Sequence, residues 1–575
     1  MKKTILLVVP LTLAFSGVRG DVTLPPLISD NMLLQSTKAV VWGKADPGEK
    51  VTVKLGKSEA HATADKDGRW SVNLLGLKPG TPGEMTVTGK NNLTVKNVAV
   101  GDVWVCSGQS NMEMPFKSGH HFSGGIVNFE QEIAAANNPD IRMFSVPHKA
   151  SETPVEDLEG KWEVCTPDVV AKWSAVGYFF GRKLNQDLKL PIGLLHTSWG
   201  GTSAQAWTPT DVIQGDPEFK TVYWEPRQKE LANIVELKAK FNNETLPAWQ
   251  TKADEAKAAG LPVPGKPRPP FGPNEGPTVS ALYNKMIQGA TPYGIKGAIW
   301  YQGESNAGGM DADRYSRLLP AMITSWRKAW NQPDFPFYIV QLASFMAPTP
   351  NPGDPSWAHL RESQRLVAET LPNTGLAVTI DIGDEKSVHP ANKQDVGLRL
   401  ALAAEAQTYG KKIAYSGPAF AKVQFEGNTA KISFKPGTAT GLKTTDGTPV
   451  KSFALAGEDK KFVWAEAKIE TPAPAEKAKG TKKAKAKAVA PAEPILVLTA
   501  PGIDKPVAVR YAWAINPSVN LVNEAGLPAG PFRTDDWPLA QPTPAPKPSA
   551  TPAPSATATP APSAAAATAS PSAAK

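Results

Sequence analysis

Asp102-Val103-Trp104-Val105-Cys106-Ser107-Gly108-Gln109-Ser110-Asn111-Met112-Glu113-Met114 is the stretch from which the chain is read. Val103 to Val105 form a short apolar strand, and Gly108 lets the backbone turn sharply where the strand ends. Ser110 then stands at the carboxyl end of a strand, beside a helix start. In open α/β sheets that edge is where ligands bind. A serine placed there has an exposed hydroxyl and a backbone N–H free to face an anion, although many such serines only cap helices. The pattern is not the GxSxG elbow of the α/β-hydrolases.

An apolar strand running into glycine and polar residues recurs three times further along the chain. Ile192-Gly193-Leu194-Leu195 leads into His196-Thr197-Ser198-Trp199-Gly200-Gly201-Thr202-Ser203. The paired glycines permit either a loop whose amides hold an oxyanion or an ordinary strand-to-helix turn. Gly297-Ala298-Ile299-Trp300 leads into Tyr301-Gln302-Gly303-Glu304-Ser305-Asn306. A carboxylate and an amide at a strand end are costly to bury without a role or an ion-pair partner. Leu376 to Ile380, after the strand Phe337 to Val340, leads into Asp381-Ile382-Gly383-Asp384-Glu385-Lys386-Ser387-Val388-His389-Pro390. His389 therefore lies at the same sheet edge as Ser110, and imidazole is the side chain suited to take a serine proton near neutral pH. Tyr315, Leu318, Met322, Trp326 and Trp330 mark one face of a helix from Asp311 to Trp330, in which Pro320 is expected to make a kink or break. Apolar strands alternating with such helices predict a parallel sheet covered on both faces.

Around this α/β domain, placed at about 99–410, the pattern is β. Residues 21–98 hold short runs such as Val51 to Leu55 and Trp70 to Leu74, punctuated by Pro47-Gly48, Asp67-Gly68 and Pro79-Gly80, and read as a small sandwich. Residues 411–540 return to β with Ala430 to Phe434 and Val507 to Trp513. About 467–493 is rich in Lys, Ala and Pro and too poor in apolar side chains to offset its ordering entropy. Residues 541–575 are almost wholly Pro, Ala, Ser and Thr, a tail to which no fold is assigned. Residues 226 to about 276, charged and then Pro-rich, read as an insertion: a solvated surface excursion or a lid over the site.

Met1-Lys2-Lys3, the apolar run Thr4 to Phe15 and the small residues up to Gly20 read as a secretory signal peptide, so a secreted or periplasmic location is expected. That run is shorter than the ~20 residues a membrane span needs, and no span is expected elsewhere. The formal charge of +8 is concentrated: Lys2, Lys3, Arg19 and the six lysines from Lys477 to Lys487 exceed it, which leaves the folded body near neutral. Basicity is therefore no argument for a nucleic-acid partner. Cys106 and Cys165 could pair in a secreted protein or remain two buried thiols, and no zinc-type Cys/His spacing occurs.

Taken together, GQSNM at 108–112, WYQGESN at 300–306 and the downstream His389-Pro390 resemble the sialate O-acetylesterases, within the SGNH hydrolase superfamily and near carbohydrate esterase family 6. Ser29 to Gln35, Ala281 to Ile287 and Pro531 to Trp537 carry the same likeness. The resemblance implies a flavodoxin-like parallel sheet flanked by sandwich-like β regions, and a serine esterase with no metal and no cofactor. It implies Ser110 as nucleophile, His389 as general base, and the Ser110 and Gly201 amides as oxyanion hole, with Gln302 completing it. Its acid is expected three residues before the histidine, but Lys386 stands there. Glu304 is the preferred replacement and Asp384 the competitor. The implied substrate is O-acetylated sialic acid, with acetylated xylan or pectin as the alternative. A non-catalytic carbohydrate-binding protein is the rival of another class, since the 16 tryptophans would suit sugar stacking.

Overall fold

Asn92–Gly108 is one unbroken strand of 17 residues, labelled β1. Its first half pairs antiparallel with Gly80–Thr88 and, through Ala99 to Gly101, parallel with Leu33–Gln35. Its second half lies in the middle of a parallel sheet. The other strands of that sheet are Asn138–Ser145 (β2), Trp162–Cys165 (β3), Ile192–Ser198 (β4), Gly297–Tyr301 (β5), Phe337–Val340 (β6) and Thr374–Ala377 (β7). The order is β7-β6-β5-β1-β4-β2-β3, parallel throughout except for the edge strand β3. From Val98 to Gln109 every residue is buried, as a strand with neighbours on both sides and helices above and below requires.

Alternation along β1 sorts two cores. Val103 and Val105 face one layer with the helices Asp311–Ala329 (α2) and Ser356–Thr370 (α3). Trp104 and Cys106 face the other, with Ala175–Leu188 (α1) and Lys393–Gln407 (α4). The first core continues without a break into Val41, Val53, Trp70 and Val87 of the N-terminal β strands. The expected boundary near 98 therefore falls inside one strand and one core. In the C-terminal region two four-stranded antiparallel sheets share a third core that includes Ile432, Leu455, Leu498, Tyr511 and Phe532.

This computed structural model describes residues 21–118, 122, 124–332, 334–471 and 493–539. The expected signal peptide, most of the Lys-rich stretch 467–493 and the tail 541–575 lie outside the described residues. Three local expectations change. Pro320 neither breaks nor ends its helix, which runs from Asp311 to Ala329. The strand expected over 376–380 is Thr374–Ala377, because the chain leaves the ladder so that Ile380 can enter the C-terminal core. Cys106 and Cys165 are both free and buried, and burial pushes the Cys165 thiol up to about 11. Among the described residues no helix is long and apolar enough to cross a membrane.

Two buried clusters bind the C-terminal region to the α/β layer. Arg361, fully buried on α3, donates to the carbonyls of Leu342 and Ala343 after β6 and of Ala514 and Ile515 in the C-terminal region. His359, two residues earlier on the same helix, lies 2.8 Å from both Asp313 on α2 and Asp354. Asp354 also accepts from Arg510 and Trp513, and Arg510 pairs with Asp535. Burial opposes the imidazolium, but the two carboxylates outweigh it and raise the His359 pKa. Burial likewise opposes the Asp354 charge, yet His359, Trp513 and Arg510 hold it down to about 2.

The histidine contribution to stability is full below its unfolded pKa of about 6.5 and is lost as pH rises through the higher folded value; the Asp354 contribution is present above about 4 and is lost as pH falls toward the folded value. The stability gap between wild type and His359→Ala should thus be widest at about pH 4–6 and narrow in alkali, read as urea midpoints at pH 5 and 9. An equal gap at both would remove the ion pair from the explanation.

Candidate active site

The carboxyl ends of three neighbouring strands are stitched together at Gly108. Its φ is +140°, and a Cβ there would stand 2.1 Å from the Tyr301 carbonyl oxygen, so only glycine fits. The Gln109 amide donates to that same carbonyl at 2.9 Å, and the Trp199 amide donates to the Gly108 carbonyl at 3.1 Å. The Gln109 side-chain oxygen accepts from the amides of Gly303 and Ser305. The ends of β1, β4 and β5 are thereby fixed against one another before any reactive group is considered.

Ser110 opens the short helix Ser110–Glu113. His389, 279 positions later in the chain, arrives from the loop after β7, and its Nε2 lies 2.8 Å from Ser110 Oγ. The Phe122 ring meets the imidazole edge-on, with centroids 5.0 Å apart. Gly200 lies against the serine, since a Cβ on it would be 3.2 Å from Ser110 Cβ. The Gly200 amide is held by Glu113 Oε2 at 2.6 Å, and Gly201 follows with φ +70°. Neither the Ser110 nor the Gly201 amide donates to another group among the described residues.

Two expected members stand elsewhere. Gln302 is buried with its amide committed: Nε2 donates to Thr202 O at 3.1 Å and Asn306 Oδ1 at 2.8 Å, and Oε1 accepts from Tyr315. It braces the loop after Gly201 and has no donor left for an oxyanion. Glu304 does not bond the imidazole. Its Oε1 accepts from Asn111 Nδ2, which also donates to the Val388 carbonyl at 2.9 Å, one residue before His389. Asn111 thus occupies the place between carboxylate and histidine loop. The competitor Asp384 closes its own turn by accepting from the Lys386 amide at 2.8 Å.

Asn111 also accepts from Lys393 Nζ at 2.6 Å, at the first turn of α4. Burial pushes the Lys393 ammonium down to about 7, with Glu304 opposing the fall. Burial pushes the Glu304 carboxyl up, against the Asn111 bond and the Lys393 charge. Its second oxygen, Oε2, is buried without a hydrogen-bond partner among the described residues. Two opposite charges therefore share one desolvated pocket through a single amide. Among the described residues no three His, Cys, Asp or Glu side chains group so as to hold a metal ion.

A family model described as "Carbohydrate esterase, sialic acid-specific acetylesterase" matches residues 272–408, which include Gln302, Glu304 and His389. The chain is 32% identical to the mouse sialate O-acetylesterase over 437 residues, 69% of this chain and 75% of the relative. It is 31% identical to the human sialate O-acetylesterase over 69% of this chain and 73% of the relative. The chain belongs to the sialate O-acetylesterase family. It is an esterase of mixed α/β architecture, similar at a TM-score of 0.71 and 33% identity to a carbohydrate acetylesterase from Xanthomonas citri, over 90% of this chain and all of that one.

In this sialate O-acetylesterase family member, two residues at the centre carry little sequence signal. Asn111 is visible only as the neighbour of Ser110 in the quoted motif. Lys393 is a lysine at a helix start, a position that ordinarily faces water, and nothing in its surroundings marks it as buried.

Replacing Asn111 with Ala removes the acceptor of Lys393 and the donor to Glu304 and Val388 together. Esterase kcat should fall on the order of 10²-fold, the scale of a displaced catalytic group, with KM little changed. Steady-state kinetics on an acetyl ester checks this, and an unaltered kcat would show that Asn111 does not hold the His389 loop.

Proposed function

We propose that this protein removes O-acetyl groups from carbohydrate, with O-acetylated sialic acid as the substrate, Ser110 as nucleophile and His389 as general base. The observation that carries the reading is the 2.8 Å contact between Ser110 Oγ and His389 Nε2, next to two uncommitted amides. His389 Nε2 takes the hydroxyl proton as Ser110 Oγ attacks the acetyl carbonyl. The amides of Ser110 and Gly201 receive the developing oxyanion. Collapse of the tetrahedral adduct breaks the bond to the sugar oxygen, which leaves with the proton from His389. Water, deprotonated by the same imidazole, then attacks the acetyl-enzyme and releases acetate.

Glu304 has a supporting part in this scheme. Through Asn111 it fixes the Val388 carbonyl, and with it the loop that aims His389. Sialic acid as the sugar rests on the names of the matching family and relatives. The expected leader at residues 1–20 supports action outside the cytoplasm. The flanking β regions serve, in this reading, as sandwich-like frames.

Acetate release from a panel of acetylated sialic acids, xylan and pectin tests the proposal. Wild type should act on at least one, and Ser110→Ala should lower its rate by more than about 10³-fold. Glycan binding with no acetate released by wild type would replace the esterase reading with the carbohydrate-binding one.

A further inference from the structure

The insertion returns to the active site. From the helix Glu225–Ala232 the chain runs outward through Leu246–Ala258, and its Pro-rich return brings Arg268 over the oxyanion loop. A Cβ on Gly201 would meet the Arg268 guanidinium at 3.0 Å from one terminal nitrogen and 3.6 Å from the other. This guanidinium is exposed and has no hydrogen-bond or ion-pair partner among the described residues. Arg227, the other arginine of the insertion, and Arg314 and Arg317 of α2 are paired with carboxylates.

The segment that carries Arg268 is held at both ends. Before it, the Pro264 carbonyl accepts from Trp249 Nε1 at 2.9 Å, and Lys266 lies over the Trp249 ring. After it, the Phe271 and Gly272 carbonyls accept from the buried Arg227. Pro267, Pro269 and Pro270 flank the arginine and restrict the backbone further. An exposed, unpaired guanidinium, carried on a tethered and proline-stiffened backbone beside Gly201, is available to an anion at the reacting carbonyl.

We propose that Arg268 is a specificity residue that binds a carboxylate carried by the acetylated sugar, so that the insertion selects acidic over neutral substrates. The proposal rests on the esterase reading for its catalytic consequence, and on the placement of Arg268 for the binding itself. A planar guanidinium matches a carboxylate with two parallel N–H donors. The chemistry has two sources, sialic acids and uronic-acid polysaccharides, whereas a neutral xylan chain offers no such group.

The test compares kcat/KM for 9-O-acetyl-N-acetylneuraminic acid and for acetylated oligogalacturonate, each against its carboxyl methyl ester. Wild type should prefer at least one free acid over its methyl ester by about 10- to 100-fold, the scale of one charge-assisted pair, and that acid identifies the source. Arg268→Ala should erase the preference through KM, and Arg268→Lys should restore part of it. No preference in wild type, or an equal loss on acid and methyl ester in Arg268→Ala, overturns the proposal; the second outcome would make Arg268 an oxyanion donor instead. Calorimetric binding of free N-acetylneuraminate and of digalacturonate to Ser110→Ala separates this from the esterase reading. Binding that weakens about 10-fold or more with Arg268→Ala upholds the subsite even without acetate release, and binding indifferent to Arg268 overturns it.

Discussion

The site depends on one steric constraint: at Gly108 the end of β1 runs so close to Tyr301 that no side chain fits between them. That approach lets Gln109 bond the Tyr301 carbonyl while Trp199 bonds the Gly108 carbonyl. The serine, the glycine loop and the QGE segment are therefore placed by backbone bonds between strand ends. Side chains on such a frame need little ordering of their own, which is the physical sense of preorganisation at a catalytic centre.

Beneath this frame lies a polar pocket that is costly to form. Lys393, Asn111 and Glu304 are desolvated together, and one carboxylate oxygen has no hydrogen-bond partner among the described residues. A buried ion pair of this kind gives weak net stability. What it supplies here is position. Asn111 follows Ser110 in the chain and bonds the carbonyl of Val388, which precedes His389, so Ser110 and His389 share one anchor although they lie far apart in the chain.

The parallel sheet was legible because β5, β6 and the end of β1 are buried on both faces and so read as continuous apolar runs. Strands β2 and β3 were not, since Asn138-Pro139-Asp140 opens polar and β3 has only four residues at the sheet edge. Ser110 and His389 could be brought together in advance because both follow apolar strands, and strand ends of a parallel sheet share an edge. The family resemblance supplied their roles. The partners of Glu304 and Gln302 could not be read, because they depend on which way a buried side chain turns, and local composition does not encode that. Arg268 was hidden for a different reason. A proline-rich excursion looks the same in sequence whether it points into solvent or folds back over the protein.

Because Asn92–Gly108 serves two sheets at once, the N-terminal strands and Ser110 share one register. A side chain changes face with every residue along a strand. Losing or gaining a single residue near Ala99 would exchange the valine and tryptophan layers of the esterase sheet and turn its end by half a pleat. The N-terminal strands thus act as a ruler, and the distance they measure is the one that sets Ser110 at the sheet edge.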